Sequence, residues 1–404
     1  MIRVAHLVSH PIHYFIPIYK ELHKIKDISF TVIYYTLKTT GKLHKNDYSR
    51  DINFNVSYFE GYHWVSFPKS NLLEIPNFFY NSPRIDILAH LWKEKYDIIW
   101  IHGYYLVMNW FAVLLQSFNK RISFLRTEDV LFHKRKNWKK IIKYFPLRFL
   151  LSQTYGLYIG EANKKYLEYY GIPKTRLYPA IYCADNQYFQ TQYEKYFPYK
   201  DNIRKDLGIV NPYPIILFCG RLVEMKCPLL LLEAFQIVAT QLPCNLLVVG
   251  DGPLRNVMEE KITRDKIKNV YFTGFLNQSE ISKAYSASDL FVLPSTHDTW
   301  GLVINEAMNF GLPVIASDLV GCVGDLVKDG ENGFVFPANN VHKLADCIKT
   351  LINDESMRKK MGQKSKEIIE SYSVKRCVDQ LVYAFKSVMY LPKNNHSCSD
   401  PINE

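Results

Sequence analysis

Residues Pro214 to Lys226 read PIILFCGRLVEMK. The first six are apolar throughout, too few for a helix, and a glycine ends the run before a loop carrying two cations. An apolar run of that length bounded by a turn signal reads as a strand buried on both faces. A helical pattern follows over Leu229 to Thr240, and the alternation then repeats. Asn245 to Val249 precedes Gly250-Asp251-Gly252-Pro253, Val270 to Thr273 precedes Gly274-Phe275, and Leu290 to Leu293 precedes Pro294-Ser295. Val314 to Ala316 and Gly333 to Phe336 close the series. Strands alternating with helices predict a doubly wound parallel sheet, with ligands held by the loops at the strands' carboxyl ends.

The same grammar runs through the first half. Arg3 to Ser9 reads as a strand, broken at His10-Pro11, with a helix-like pattern over Tyr14 to Lys24. Ile28 to Tyr35, Tyr96 to His102, Ile122 to Leu125 and Gly156 to Gly160 read as further strands. Between Tyr178 and Arg204 the pattern fails in a polar, aromatic, proline-punctuated stretch, which reads as a linker. The chain of 404 residues therefore divides into two α/β Rossmann-like domains. The first covers 1–190, completed by the amphipathic helix 373–390; the second covers 200–372; a polar tail follows over 391–404.

Composition sets limits on function. Hydrophobic residues make up 48% and charged residues 22%, an ordinary globular mix that argues against disorder. The net charge of +11 attracts polyanions such as nucleotides or lipid head groups. No recognised nucleic-acid-binding motif accompanies it, so nucleic acid is not expected as a partner. The eight cysteines form no CxxC pair and no His cluster, which argues for scattered reduced thiols and against a metal site. No signal-peptide core and no long apolar span is present, so a cytoplasmic protein is expected.

Two stretches carry chemistry. In DTWGLVINE, Asp298 and Glu306 stand eight positions apart, with Trp300-Gly301 marking a turn and a helix opening near Leu302. The acids can accept directed hydrogen bonds from sugar hydroxyls, while the helix start offers free N–H groups to a diphosphate. Spacing alone leaves equally open that Asp298 caps the helix and Glu306 is a solvated face residue. In the loop after Cys219, Gly220 permits close ligand approach, and Arg221 and Lys226 can neutralise charge on a departing nucleoside diphosphate without a metal. A pair of surface charges is the plainer alternative.

Taken in order, GRLVEMK, GDGP, TGF and D-x7-E within DTWGLVINEAMNFGLPVIAS resemble the retaining glycosyltransferases of family 4. That family has the GT-B fold, two Rossmann-like domains facing each other across a cleft. The run SHPIHYFIPIYKEL resembles bacterial polysaccharide-biosynthesis members. The resemblance implies that Arg221 and Lys226 contact the donor diphosphate, that Glu306 holds the ribose hydroxyls, and that Asp298 contacts the transferred sugar. Asp298 stands where the family has a glutamate, one methylene longer. Gly250 and Gly252 would line the nucleotide cleft, Phe275 the base-binding loop, and the backbone of Gly301, Leu302 and Val303 would meet the phosphates. Cys227 stands where the family often has glycine.

The first half departs further from the family. His10-Pro11-Ile12-His13 replaces a glycine-rich loop, leaving His10 and His13 either to shape the substrate cleft or to act in it. Where the family often has a histidine after Ile122–Leu125, this chain reads LRTED, so Arg126 or Glu128 would take that role at the donor sugar. His102, ending YDIIWIH, reads as a capping or structural histidine. The resemblance thus implies a metal-independent transferase using a UDP-, GDP- or ADP-sugar and a glycan or lipid-linked acceptor. The basic, aromatic segment Lys134–Arg148 could hold it on the inner face of an anionic membrane. A nucleotide-sugar epimerase of the same fold and a non-catalytic sugar-nucleotide-binding module are the alternatives. A dehydrogenase is weaker, because no GxGxxG follows the first strand of either half.

Overall fold

A computed structural model describes residues 1–37, 57–67, 84–132 and 137–390. Among them the chain forms two compact units. One comprises the described residues up to Tyr182 together with those from Val374 onward; the other runs from Cys183 to Ser373.

The first unit contains β1 (Ile2–Val8), α1 (Ile16–His23), β2 (Ile28–Tyr34), β3 (Trp64–Ser66), α2 (Ile85–Glu94), β4 (Ile98–His102) and α3 (Val107–Phe118). It continues with β5 (Ile122–Arg126), α4 (Asn137–Ser152), β6 (Tyr155–Tyr158), α5 (Glu161–Tyr169) and β7 (Leu177–Pro179). The strands are all parallel and lie in the order β3-β2-β1-β4-β5-β6-β7. Apolar β1, β4 and β5 occupy the centre, where both faces are covered, so their side chains are buried almost without interruption. Winding reverses between β1 and β4, which makes their carboxyl ends a topological switch point.

The second unit opens with α6 (Asn186–Tyr196) and α7 (Lys200–Asp206). It then alternates β8 (Ile215–Cys219), α8 (Pro228–Ala239), β9 (Asn245–Val249), α9 (Arg255–Arg264), β10 (Val270–Gly274), α10 (Gln278–Ala287) and β11 (Leu290–Leu293). It ends with α11 (Leu302–Asn309), β12 (Val314–Ser317), β13 (Gly333–Phe336), α12 (Val341–Asn353) and α13 (Glu355–Glu370). Its parallel sheet has the order β10-β9-β8-β11-β12-β13, with the switch point between β8 and β11. The last helix, α14 (Val374–Tyr390), returns to the first unit. Its residues Cys377, Val378, Leu381, Ala384 and Phe385 recur at helical spacing and are all buried. Phe385 meets Phe124 edge to face at 5.5 Å, and Gln380 accepts the Ile181 N–H at 3.0 Å.

The linker reading of Tyr178–Arg204 is overturned: β7, α6 and α7 lie there, and residues 183–190 belong to the second unit rather than the first. Both helices are anchored by polar and aromatic contacts, so they leave no apolar stripe. Asp185 caps α6 by accepting the Tyr188 N–H at 3.0 Å, and Phe189 and Tyr193 pack edge to face on Phe310. In α7, Lys200 and Arg204 both bind Asp289, at 2.8 and 2.6 Å. The polar tail 391–404 and residues 134–136 of the basic segment fall outside the described residues, as do the side chains of 137–142. Among described residues no helix is long and apolar enough to cross a membrane.

Candidate functional site

In the second unit the loops after β8 and β11 meet. These strands are paired neighbours, Leu290 beside Ile216 and Phe291 beside Leu217, so their loops emerge side by side where the winding reverses. The Thr296 N–H donates to the Met225 carbonyl at 2.9 Å, tying one loop to the other. Lys226 Nζ then reaches Asp298 Oδ2 at 2.5 Å, both side chains being largely shielded. The other oxygen, Oδ1, accepts the Trp300 N–H at 3.3 Å. The loop is pinned from behind: the Gly321 N–H donates to the Asp298 carbonyl, and a Cβ on Gly321 would fall 1.9 Å from the Thr299 carbonyl oxygen.

Gly301, in the left-handed region at φ +97, turns the chain into α11. That helix start has no side-chain cap, so Asp298 is not its cap, and Leu302 and Val303 contribute the first-turn amides that a helix start leaves without an intrahelical partner. Trp300 Nε1 donates to Asn305 Oδ1 at 2.9 Å, locking the turn to the helix it precedes. Glu306 is only 5% exposed and its Oε2 accepts the Tyr285 hydroxyl at 2.8 Å, so it is not a solvated face residue. Burial, and next the Glu306 carboxylate, push the Cys219 thiol up to about 12, with Lys226 opposing. Cys219, Glu306 and Lys226 are therefore electrostatic neighbours at the end of β8.

Arg221 lies exposed on the same loop. Gly250 and Gly252 have a packing reason of their own: a Cβ on Gly250 would sit 2.0 Å from the Gly220 carbonyl oxygen, and one on Gly252 2.4 Å from that of Leu222. The loop after β9 is thereby pressed onto the loop after β8, with the Leu222 N–H bonded to the Asp251 carbonyl at 2.9 Å. Gly250 in turn bonds Gly274, after which Phe275 stands 43% exposed. The candidates of this unit thus share one sheet edge. Lys226 and Asp298 are in contact, Glu306 is buried near Cys219, and Arg221 and Phe275 are exposed.

The first unit's candidates gather at its own switch point. His10 Nδ1 lies 2.8 Å from Ser9 Oγ, and burial lowers its pKa. Burial also lowers His13 to about 4, and its ring lies 3.9 Å from Tyr14. His102 and Arg126 are register partners on β4 and β5. Burial first, then Arg126 and His10, lower His102 to about 3. Glu128 Oε1 lies 3.7 Å from His102 Nε2. Arg126 is fully buried, with the Phe15 and Tyr182 rings 4.9 and 5.1 Å from its guanidinium carbon.

Sequence reading missed Tyr285, His6 and Tyr182. Tyr285 comes from α10, far from any motif. His6 stacks on Trp100 at 3.7 Å, and its signal was a histidine inside the apolar run of β1.

A model of the family described as "Glycosyl transferases group 1" matches residues 199–368. The chain is 28% identical over 220 residues to the alpha-D-kanosaminyltransferase of Streptomyces kanamyceticus, covering 54% of this chain and 56% of that protein. It spans about half the length of the curated relatives it matches. Among solved structures it superposes on a glycosyltransferase from Rickettsia africae with a TM-score of 0.75 at 18% identity, covering 97% of this chain and 99% of that one. Anabaena HepE in complex with UDP gives a TM-score of 0.71 at 18% identity, with 96% and 100% covered. The fold is that of these GT-B glycosyltransferases, two Rossmann-like parallel-sheet domains.

Proposed function

We propose that the chain is a glycosyltransferase that moves a sugar from a nucleoside diphosphate sugar to an acceptor hydroxyl, with retention of anomeric configuration. The observation that carries this reading is the Lys226–Asp298 contact beside the uncapped start of α11, at the switch point of the unit that the family model matches. A diphosphate placed against the α11 amides would meet Lys226, with Arg221 on the same loop. Fixed cations there favour the state in which the glycosidic bond has broken and negative charge has moved onto the leaving diphosphate. They would serve the role a divalent metal serves elsewhere, so we expect transfer to persist in chelator. Asp298 would orient the transferred sugar and hold Lys226, while Glu306, fixed by Tyr285, would accept ribose hydroxyls. Gly250, Gly252 and Phe275 would border the nucleoside.

Retention, and a role in cell-surface polysaccharide or lipopolysaccharide synthesis, rest on the resemblance of the motifs. Exposed Phe145 and Phe149 flanking Arg148 on α4 are in keeping with attachment to an anionic membrane surface.

A thermal-shift panel of UDP-, GDP- and ADP-sugars, followed by incubation of the stabilising donor with glycan acceptors, tests the reading. We expect acceptor-dependent release of nucleoside diphosphate and a product with the donor's anomeric coupling constant. Epimerised donor without acceptor would replace the reading with an epimerase; binding with no turnover across the acceptors would replace it with a binding module.

A further inference from the structure

The face of the first sheet that carries His6, Trp100, His102 and Arg126 is rich in hydrogen-bond donors. These residues sit on β1, β4 and β5 near the strands' carboxyl ends. His6 pairs in register with Trp100 and His102 with Arg126, so all four side chains lie on one face. Among the described residues, buried Arg126 Nε, Nη1 and Nη2 have no hydrogen-bond partner, nor do His102 Nδ1, His6 Nε2 or Trp100 Nε1. Burying a permanently charged guanidinium with every donor unmet is among the costliest arrangements a core can hold.

Aromatic contact meets this only in part. The Phe15 and Tyr182 rings lie within cation–π range of Arg126, but their centroids are 6.4 Å apart. That is far closer than a sandwich would place them, so they flank the cation on adjoining sides, and neither ring face supplies a hydrogen-bond acceptor matched to the fork. Glu128, on the next loop, approaches the outer nitrogen of His102 at 3.7 Å. Asp129 accepts from Thr127 and Tyr105, at 2.7 and 2.5 Å.

We infer that the carboxyl ends of β1, β4 and β5 form a recognition site for an oxyanion, the carboxylate or phosphate ester of a ligand bound by the first unit, with Arg126 as its anchor. A planar guanidinium matches either group with two parallel N–H···O bonds, the unmet Trp100 indole N–H beside it adds a donor, and an imidazole nitrogen adds another in the tautomer that places its proton there. Tyr182, 6% exposed and the last residue before the chain passes into the second unit, lies against Arg126 with its ring 5.1 Å from the guanidinium carbon. A ligand enters when that ring swings aside. The inference does not require glycosyl transfer; it makes the first unit's ligand acidic, whether a uronic acid or a phosphorylated sugar.

Full-length protein titrated with glucuronate, glucose 6-phosphate and neutral glucose tests this, with wild type and Arg126→Gln compared by calorimetry and thermal melting. We expect at least one acid to bind wild type, glucose not to, and Arg126→Gln to lose at least tenfold in affinity for that acid. Binding of glucuronate alone assigns a carboxylate, and of glucose 6-phosphate alone a phosphate ester. Because the buried cation is unmet, ligand-free Arg126→Gln should melt no lower than wild type. Failure of both acids to bind wild type, equal binding by the variant, or a clearly lower melting temperature of the free variant would overturn the assignment. A nucleoside diphosphate titrated in parallel responds through the second unit, so its result stands or falls separately.

Discussion

Lys226 and Asp298 show what a motif can and cannot convey. Their residue types and positions were readable because each stands directly after a strand, in a loop whose role is fixed by the sheet. Their contact at 2.5 Å was not readable, because it spans 72 positions of sequence and depends on β8 and β11 being neighbours. The histidines of the first unit were readable as residues but not as neutral ones. His13 and His102 are held near 4 and 3 against an ordinary value of 6.5, with His6 and His10 also lowered, in each case chiefly by burial. A depressed histidine pKa means that the unfolded chain takes up protons the folded chain refuses. The stabilisation is therefore complete above about pH 6.5 and is lost as pH falls from there toward the folded values. We predict that the melting temperature falls steadily between pH 6.5 and 4, and that His102→Asn flattens part of that slope. A melting curve independent of pH over this range would mean that these rings are not neutral in the folded protein.

At the scale of elements, the long strands were legible because burial on both faces writes an unbroken apolar run, and α1, α8, the start of α11 and α14 were legible from helical pattern or a turn before them. Short β3 and β7 were not, since three residues carry no period, and α6 and α7 were not, since aromatic edges and ion pairs hold them in place of an apolar stripe. The glycines after β9 were legible as a turn but not as a seam. Gly252 allows the loop after β9 to lie on the backbone at Leu222, where a Cβ would approach the carbonyl oxygen to 2.4 Å. Backbone cannot yield as a side-chain tip can, so Gly252→Ala should cost about 1–3 kcal/mol, the usual range for overpacking. For a unit of this size that is a melting temperature lower by roughly 2–12 °C. Nucleotide binding should weaken with it, because the displaced loop carries Arg221 and Lys226. Calorimetric melting of the variant checks this; an unchanged melting temperature would show that the two loops are not in close contact.

The whole molecule repeats one plan twice, and the doubling was plain in the sequence. The division was less so. The chain passes from the first unit to the second after Tyr182 and returns after Ser373, and polar contacts mark the second unit's ends. Asn186 donates to the Ile369 carbonyl at 2.8 Å and accepts from Asn309 at 3.1 Å, so α6, α11 and the end of α13 are joined by buried amides that hydrophobic pattern does not register. On the proposed function, the second unit holds a diphosphate between the loop after β8 and the start of α11. The most direct test is calorimetric titration of the full-length protein with the nucleoside diphosphate that stabilises it and with the corresponding nucleoside, in wild type and in Lys226→Ala. Losing one charged contact to phosphate, and leaving Asp298 without its partner, should weaken diphosphate binding at least tenfold, about 1.4 kcal/mol or more. Nucleoside binding should stay close to wild type, while the melting temperature of the free protein falls because the shielded Asp298 has lost its partner. Equal diphosphate affinity in the two proteins would contradict the account.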